Sequence, residues 1–338
     1  MVTVETRIPA LINKAGRKNH QEGGKDPHHD DIDQLIEKLP REKIMNWSLI
    51  LHEDGFWCPE RLLRPLISFQ RNYDSKDNDI LLATMPKSGT TWLKALAFSI
   101  VNRDIYSVSQ SPLHTSNPHE LVPFEFQLAG QRNRDEGRDY HVFATHMPYA
   151  SLPDSIFSSK CKIVYLCRNP LDQFVSDWHF HEQMCWDVKP EFAIEDALDL
   201  FLQGKQNYGP FWEQIQGYWN ASLKFPGKVL FIKYEDLKKD CRSVVKRIAQ
   251  FLQMPFAEEE EKNGLVEQIV KLCSFESLSN MEVNKPGKWN ANFRVSNNVF
   301  FRKGEVGDWI NYLNPTSASR VASLMKEKFG DSGLTFEG

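Results

Sequence analysis

Between an apolar run and an apolar helical pattern, the chain places Met85-Pro86-Lys87-Ser88-Gly89-Thr90-Thr91, a turn holding one lysine, one glycine and three hydroxyls. The run before it, Asp79-Ile80-Leu81-Leu82-Ala83-Thr84, reads as a buried strand. From Trp92 through Arg103 the spacing predicts a helix. Strand, tight turn and helix in that order commit the chain to an α/β unit, and the turn suits an anion. The first N–H groups of a helix have no intrahelical partners, and the helix dipole adds partial positive charge there. The common nucleotide loop, G-x-x-x-x-G-K-[ST], carries its lysine after the glycine. Here Lys87 precedes Gly89, so this is a phosphate loop with its cation placed differently.

Three more apolar segments alternate with helical patterns. They are His141–Thr145, Cys161–Cys167 and Lys228–Tyr234. Helices are expected from Pro170 through Met184, Phe192 to Leu202, Tyr208 to Leu223, Glu235 to Leu252 and Glu258 to Cys273. Short buried strands separated by helices indicate an α/β fold with a mainly parallel central sheet flanked by helices. No repeat and no Gly/Ser-rich linker divides the chain. Residues 1–30 read as a disordered polar tail and 31–338 as a single domain, with helical character from Ile32 and a second amphipathic stretch ending near Phe69. His28-His29-Asp30-Asp31 offers metal-binding side chains, but nothing in the tail fixes their geometry. Residues 281–302 are polar and lack periodicity, as binding loops and lids do.

Bulk properties narrow the function. A net charge of −4 excludes a general nucleic-acid binder, whose affinity rests on excess Lys and Arg. No run approaches the ~20 apolar residues a bilayer requires, and the N-terminus lacks a signal peptide's apolar core. The six cysteines form no C-x-x-C pair. Cys161 and Cys167 share one expected strand, ~20 Å apart at ~3.3 Å per residue, too far to bridge. Reduced thiols and a cytoplasmic location follow.

In a sheet of this kind ligands sit beyond the carboxyl ends of the strands. Four such ends carry chemistry: Lys87 and its loop, Thr145-His146, Arg168 and Tyr234. His146 is a candidate to take a proton from a hydroxyl. A lone histidine is more often satisfied by a backbone carbonyl; His146 gains weight because the anion loop shares its edge. Arg168 suits paired hydrogen bonds to an oxyanion, and Ser176 could add a hydroxyl. Phe300-Phe301-Arg302-Lys303-Gly304-Glu305-Val306-Gly307-Asp308-Trp309 reads as a second anion-closing turn. His179 and His181, on a helix, read as structural or surface groups.

Pro86-Lys87-Ser88-Gly89-Thr90-Thr91-Trp92 resembles the 5′-phosphosulfate loop of the cytosolic sulfotransferases. Tyr165-Leu166-Cys167-Arg168-Asn169-Pro170 with Ser176 is similar to their 3′-phosphate segment, and Arg302-Lys303-Gly304 through Gly307-Asp308-Trp309 to their R-K-G-x-x-G-D-W element. The resemblance covers residues 45 to 335, and Leu272-Cys273-Ser274-Phe275-Glu276 is nearest the plant branch. It implies the P-loop-like sulfotransferase fold and the donor 3′-phosphoadenosine 5′-phosphosulfate, with no metal. By the resemblance, Lys87, Ser88, Gly89, Thr90, Thr91 and Trp92 hold the phosphosulfate, and Lys87 also offsets charge on the leaving phosphate. Arg168, Ser176, Arg302, Lys303 and Gly304 bind the 3′-phosphate. Trp92 and Phe275 flank the adenine, with Tyr234 and Ser274 nearby, and His146 is the catalytic base. Two features depart from the animal members: Ala144 stands where many carry a lysine, and their dimerisation motif is not recognisable after Trp309.

The expected function is sulfuryl transfer to a hydroxyl of a small, largely apolar acceptor: a flavonoid, hydroxyjasmonate, steroid or desulfoglucosinolate. No nucleic acid, membrane or obligatory protein partner is expected. Phe56, Trp57, Met147, Tyr149, Trp178, Tyr208 and Phe211 are candidates to line the acceptor pocket, and for most of them a place in the core is the stronger reading. A P-loop kinase or other phosphotransferase is the alternative, but it needs a lysine after the glycine and an acidic Mg²⁺ ligand at a strand end. Thr90 and Arg168 stand at those places. A non-catalytic nucleotide-binding relative is the third reading, weakened by the retention of Lys87 and His146.

Overall fold

Parallel strands β4 (Asp79–Thr84), β5 (His141–Thr145), β6 (Lys162–Cys167) and β7 (Val229–Lys233) form the central sheet of the protein, preceded by a small antiparallel sheet of β1 (Arg41–Ile44), β2 (Trp47–Leu51) and β3 (Trp57–Pro59). The structure, a computed structural model, describes residues 27–44, 47–128, 141–184, 193–290 and 295–336. The tail expected over residues 1–30 lies largely outside them. A helix runs Pro27–Lys38, beginning ahead of Ile32.

The central order is β5-β4-β6-β7. The chain therefore leaves β4 to one side for β5 and returns to its other side for β6. That reversal makes the carboxyl end of β4 the switch point of the sheet, where a crevice opens. Register pairs Ala83 with Thr145, Thr84 with Leu166 and Cys167 with Lys233, so all four strands end on one edge. Alternate residues supply two cores. Leu81, Ala83, Phe143, Ile163 and Tyr165 face one, against the Pro170–Met184 and Phe211–Lys224 helices; Ile80, Leu82, Ala144, Val164 and Leu166 face the other, against Thr90–Val101 and Cys241–Phe251. Burial on both faces explains why these strands read as unbroken apolar runs.

Three expectations are corrected in detail. The helix expected over 235–252 is two, Tyr234–Lys239 and Cys241–Phe251, because Asp240 leaves helical geometry and accepts the Ser243 N–H at 3.0 Å as a cap. The helix expected over 258–273 breaks at Gly264, whose φ of 70° starts Leu265–Leu272. Residues 281–302 are not featureless: two-residue strands β8 (Trp289–Asn290) and β9 (Val295–Ser296) pair there, flanked by short 3-10 turns at Glu282–Asn284 and Asn297–Phe300. Among the described residues, no helix is long and apolar enough to cross a membrane. All the described cysteines are unbridged.

Candidate functional site

The crevice at the end of β4 is a cavity of about 360 Å³. Its floor is the anion loop. Lys87 and Gly89 both take left-handed backbone angles, φ 64° and 102°. A Cβ at residue 89 would come within 2.9 Å of both Leu166 Cδ2 and Tyr234 Cδ2, so the turn requires glycine. Gly89 starts the Thr90–Val101 helix, and the Thr90 hydroxyl is pinned 2.7 Å from Thr84 Oγ1. Thr91 Oγ1 lies 2.9 Å from His119 Nε2. Ser88 is buried and donates its N–H to Met85 O at 3.2 Å; alone among the residues expected to bind the donor, it does not line the cavity.

The half-buried Lys87 places its Nζ 4.0 Å from the centroid of the Phe180 ring. Burial pulls its pKa down to about 7; Asp177 opposes this, while Arg168 and Arg302 add to it. His146 follows β5 and lies against the same loop. Its Nδ1 is 2.7 Å from Thr84 O and 3.3 Å from Thr84 Oγ1. A carbonyl only accepts, so Nδ1 carries the proton and Nε2 keeps a lone pair. Burial lowers the pKa of His146 to about 4. The ring packs 4.9 Å from Phe124 and 5.3 Å from Tyr208.

A second cationic group lies beyond Lys87. Arg168, 5% exposed, donates Nη1 to Lys87 O at 3.2 Å and Nη2 to Glu305 O at 2.7 Å, with its guanidinium carbon 4.7 Å from the Tyr234 ring centroid. Among the described residues its buried Nε has no hydrogen-bond partner. Ser176 lines the same end from the Pro170–Met184 helix. Arg302 and Lys303 each approach Asp308 at 2.7 Å. Burial works against charge on Asp308, but hydrogen bonds from Lys303, Asn311 and Arg302 hold its pKa near 2. Gly304 sits close beneath Phe275: a Cβ there would be 2.6 Å from Phe275 Cδ2. Tyr234 donates its hydroxyl to Gly304 O at 3.1 Å and packs edge-on to Trp92 at 5.5 Å. Ser274 caps the Phe275–Asn280 helix and also borders the cavity.

The strand ends and the C-terminal turn thus meet at one cavity, lined by Lys87, Arg168, Arg302 and Lys303 and by aromatic rings. Among the described residues, no group of three or more His, Cys, Asp or Glu is arranged to hold a metal ion. His181 pairs with Asp177 at 3.4 Å and His179 with Glu182 at 3.4 Å; neither borders the cavity.

The end beside His146 is built from Phe124, Phe126 and Phe180, which sequence reading passed over, and from Phe300, read there only as part of the C-terminal turn; they join Tyr208. Of the expected acceptor-pocket residues only Tyr208 is there; Phe56, Trp57, Met147 and Phe211 are core, and Tyr149 and Trp178 pack against it. Asp172 was also missed. Its carboxylate accepts Gly307 N–H at 2.8 Å and Trp309 N–H at 3.1 Å, fastening the C-terminal turn to the helix that carries Ser176. The one available signal was an acid in the first turn of a helix directly after Arg168. Ala144 is fully buried and paired with Phe124 in an isolated bridge, leaving no cation at that position.

Comparison with known proteins gives a consistent set of relatives. The sulfotransferase domain profile matches residues 77–333. Cytosolic sulfotransferase 15 of Arabidopsis thaliana is 45% identical over 314 residues, covering 90% of this chain and 87% of that protein. The crystal structure of an Arabidopsis thaliana putative steroid sulphotransferase superposes with a TM-score of 0.73 at 38% identity, over 94% of this chain and 99% of the other. Mouse sulfotransferase SULT7A1 complexed with PAP matches with a TM-score of 0.63 at 26% identity, over 84% and 95%.

Proposed function

Because the chain belongs to the sulfotransferase family, in its plant cytosolic branch, we propose that the cavity holds 3′-phosphoadenosine 5′-phosphosulfate across its two cationic ends. The sulfuryl group then passes to a hydroxyl of a flat, largely apolar acceptor seated beside His146. The observation that carries this reading is the single cavity shared by Lys87, Arg168, Arg302, Lys303 and His146. A mouse relative crystallised with PAP supports the donor.

Lys87, Gly89, Thr90 and Thr91 hold the phosphosulfate end, with Ser88 shaping the turn from behind. Arg168, Ser176, Arg302, Lys303 and Gly304 hold the 3′-phosphate. The unpartnered Arg168 Nε supports this, since a buried guanidinium N–H without an acceptor is costly. Trp92 and Phe275 flank the purine, beside Tyr234 and Ser274. His146 Nε2 takes the acceptor proton as the acceptor oxygen bonds to sulfur. The bond from sulfur to the bridging oxygen breaks, and the electron pair stays on that oxygen, where Lys87 offsets it. Positioning and fixed positive charge carry the transfer, as in phosphoryl transfer.

Four phenylalanines and Tyr208 suit a planar or fused-ring acceptor. Flavonoids and steroids fit this wall best, with hydroxyjasmonates and desulfoglucosinolates as the other classes. The names of the plant relatives support a cytoplasmic location. Thermal shift with adenosine 3′,5′-bisphosphate against ATP plus magnesium tests the donor. Stabilisation by the bisphosphate is expected; stabilisation by ATP–Mg²⁺ alone would restore the kinase reading. A screen of hydroxylated acceptors with labelled donor then identifies the acceptor.

A further inference from the structure

Lys94 is a buried lysine behind the cavity wall that the transfer just described does not use. It lies one turn into the Thr90–Val101 helix, TTWLKALAFSIV, as that helix's one charged side chain, and it has no exposed surface. Its Nζ donates to Val122 O at 2.9 Å and stands 3.4 Å from the centroid of the Phe124 ring. Burial pulls its pKa well down, and the Glu125 carboxylate opposes this. Methionine or leucine would fill this helix position without desolvating a charge, so the reason for a lysine lies in what its nitrogen touches.

What it touches is the wall beside the base. The Phe124 ring borders the cavity and packs 4.9 Å from His146, and its backbone bridges Ala144, two residues ahead of that histidine. Phe124 also stacks on Phe126 at 5.4 Å and on His119 at 5.7 Å, and His119 Nε2 reaches Thr91 Oγ1 at 2.9 Å. The helix that begins at the anion loop therefore ends its first turn pressed, through one ammonium, onto the ring that faces the acceptor.

We propose that Lys94 is a positioning residue for the transfer: it fixes Phe124 against His146, so that the acceptor hydroxyl is aligned with a sulfuryl group held at the head of the same helix. This rests on His146 being the base. The carbonyl of Val122, the ring face and Glu125 surround the nitrogen and favour its ammonium form, against the stronger pull of burial, which also pushes the Glu125 carboxyl up to about 8. The groups facing His146 are Lys87 from the loop, Lys94, His119 from the Pro118–Leu121 turn, Glu125, Asp177 from the Pro170–Met184 helix and Tyr208. Lys87 and Lys94 disfavour the imidazolium and Asp177 favours it. Loss of the Lys94 charge therefore raises the pKa of His146.

The test compares wild type, Lys94→Met and Lys94→Arg, with rates normalised to sites counted by bisphosphate titration. For Lys94→Met the acceptor KM should rise about tenfold and kcat should fall, while bisphosphate affinity stays within about twofold. The acid limb of kcat/KM should move to higher pH, and Lys94→Arg should return it towards wild type. A scaffold role alone would reduce the melting temperature and the number of sites but leave per-site KM and the limb in place; that result overturns the proposal. If Lys94→Met gives no folded protein, Lys94→Gln replaces it, keeping a donor for Val122 O but removing the charge over the Phe124 ring. The same rise in KM supports the proposal, and unchanged KM and kcat overturn it. An active His146→Ala enzyme would instead remove the base itself, whatever Lys94 does.

Discussion

The Nδ1 of His146 lies 2.7 Å from the carbonyl oxygen of Thr84, the last residue of the strand that feeds the anion loop. One contact sets both the tautomer of the imidazole and its distance from the loop. With Nδ1 committed to that carbonyl, Nε2 is the atom left to accept a proton. His146→Ala should lower turnover by roughly 10²- to 10⁴-fold. Bisphosphate affinity, measured by calorimetry, should stay close to wild type. Parallel loss of nucleotide binding would assign His146 to the donor instead.

The same histidine gives the empty protein a pH signature. Its folded pKa is near 4, against an ordinary value of 6.5. Between those values the unfolded chain binds more protons, so this group makes stability rise as pH climbs from about 4 to 6.5. Denaturation midpoints across that window should show a steeper rise in wild type than in His146→Ala.

Burial pulls the pKa of Lys87 down to about 7. The charged form binds an anionic donor and the neutral form does not, so bisphosphate affinity should decline as pH rises through 7. Binding above that pH should take up a proton, because the bound phosphate restores the ammonium. Calorimetry in buffers of different ionisation enthalpy reads this uptake directly, and Lys87→Met should abolish it. Affinity that is flat from pH 6 to about 9 would place Lys87 outside the donor site.

Arg168 spends two of its N–H groups on Lys87 O and Glu305 O, a forked arrangement that lysine cannot reproduce. Arg168→Lys should weaken adenosine 3′,5′-bisphosphate about tenfold or more while changing AMP little. Equal losses for both nucleotides would move Arg168 away from the 3′-phosphate.

Gly304 has φ 66° and no room for a methyl beneath Phe275. Gly304→Ala should cost about 1 kcal/mol or more of stability by denaturant titration. It should also weaken the bisphosphate, because the turn that carries Arg302 and Lys303 must shift.

How much of this was legible follows from the physics of each part. β4 to β7 could be read because burial on both faces leaves unbroken apolar runs, and the loop could be read because proline, glycine and hydroxyls sit where a strand gives way to a helix. β1 to β3 could not, since strands of three to five residues are too short to show a period. For a different reason, the aromatic lining of the cavity was not picked out. Phenylalanine is apolar whether it faces a core or a cavity, so sequence gave no ground to choose Phe124 and Phe300 over Phe56 and Phe211. Asp172 resembled any acid in a first helical turn, and its partners stand 135 and 137 residues away. Lys94 did leave a trace: a single charge in an otherwise apolar helix.

That long-range tie has a consequence for how the protein comes into being. β4, β5, β6 and β7, the anion loop and His146 all precede residue 240, yet the Arg302–Lys303–Gly304 turn is held by bonds that reach back to Asp172, Arg168 and Tyr234. The edge of the sheet and the C-terminal turn that meets it are thus far apart in the chain and are joined only by folding. A chain cut short before Trp309 would lose not only that anchor but also the Pro315–Phe329 helix, whose Val321 and Phe329 are buried against the helices that cover the sheet.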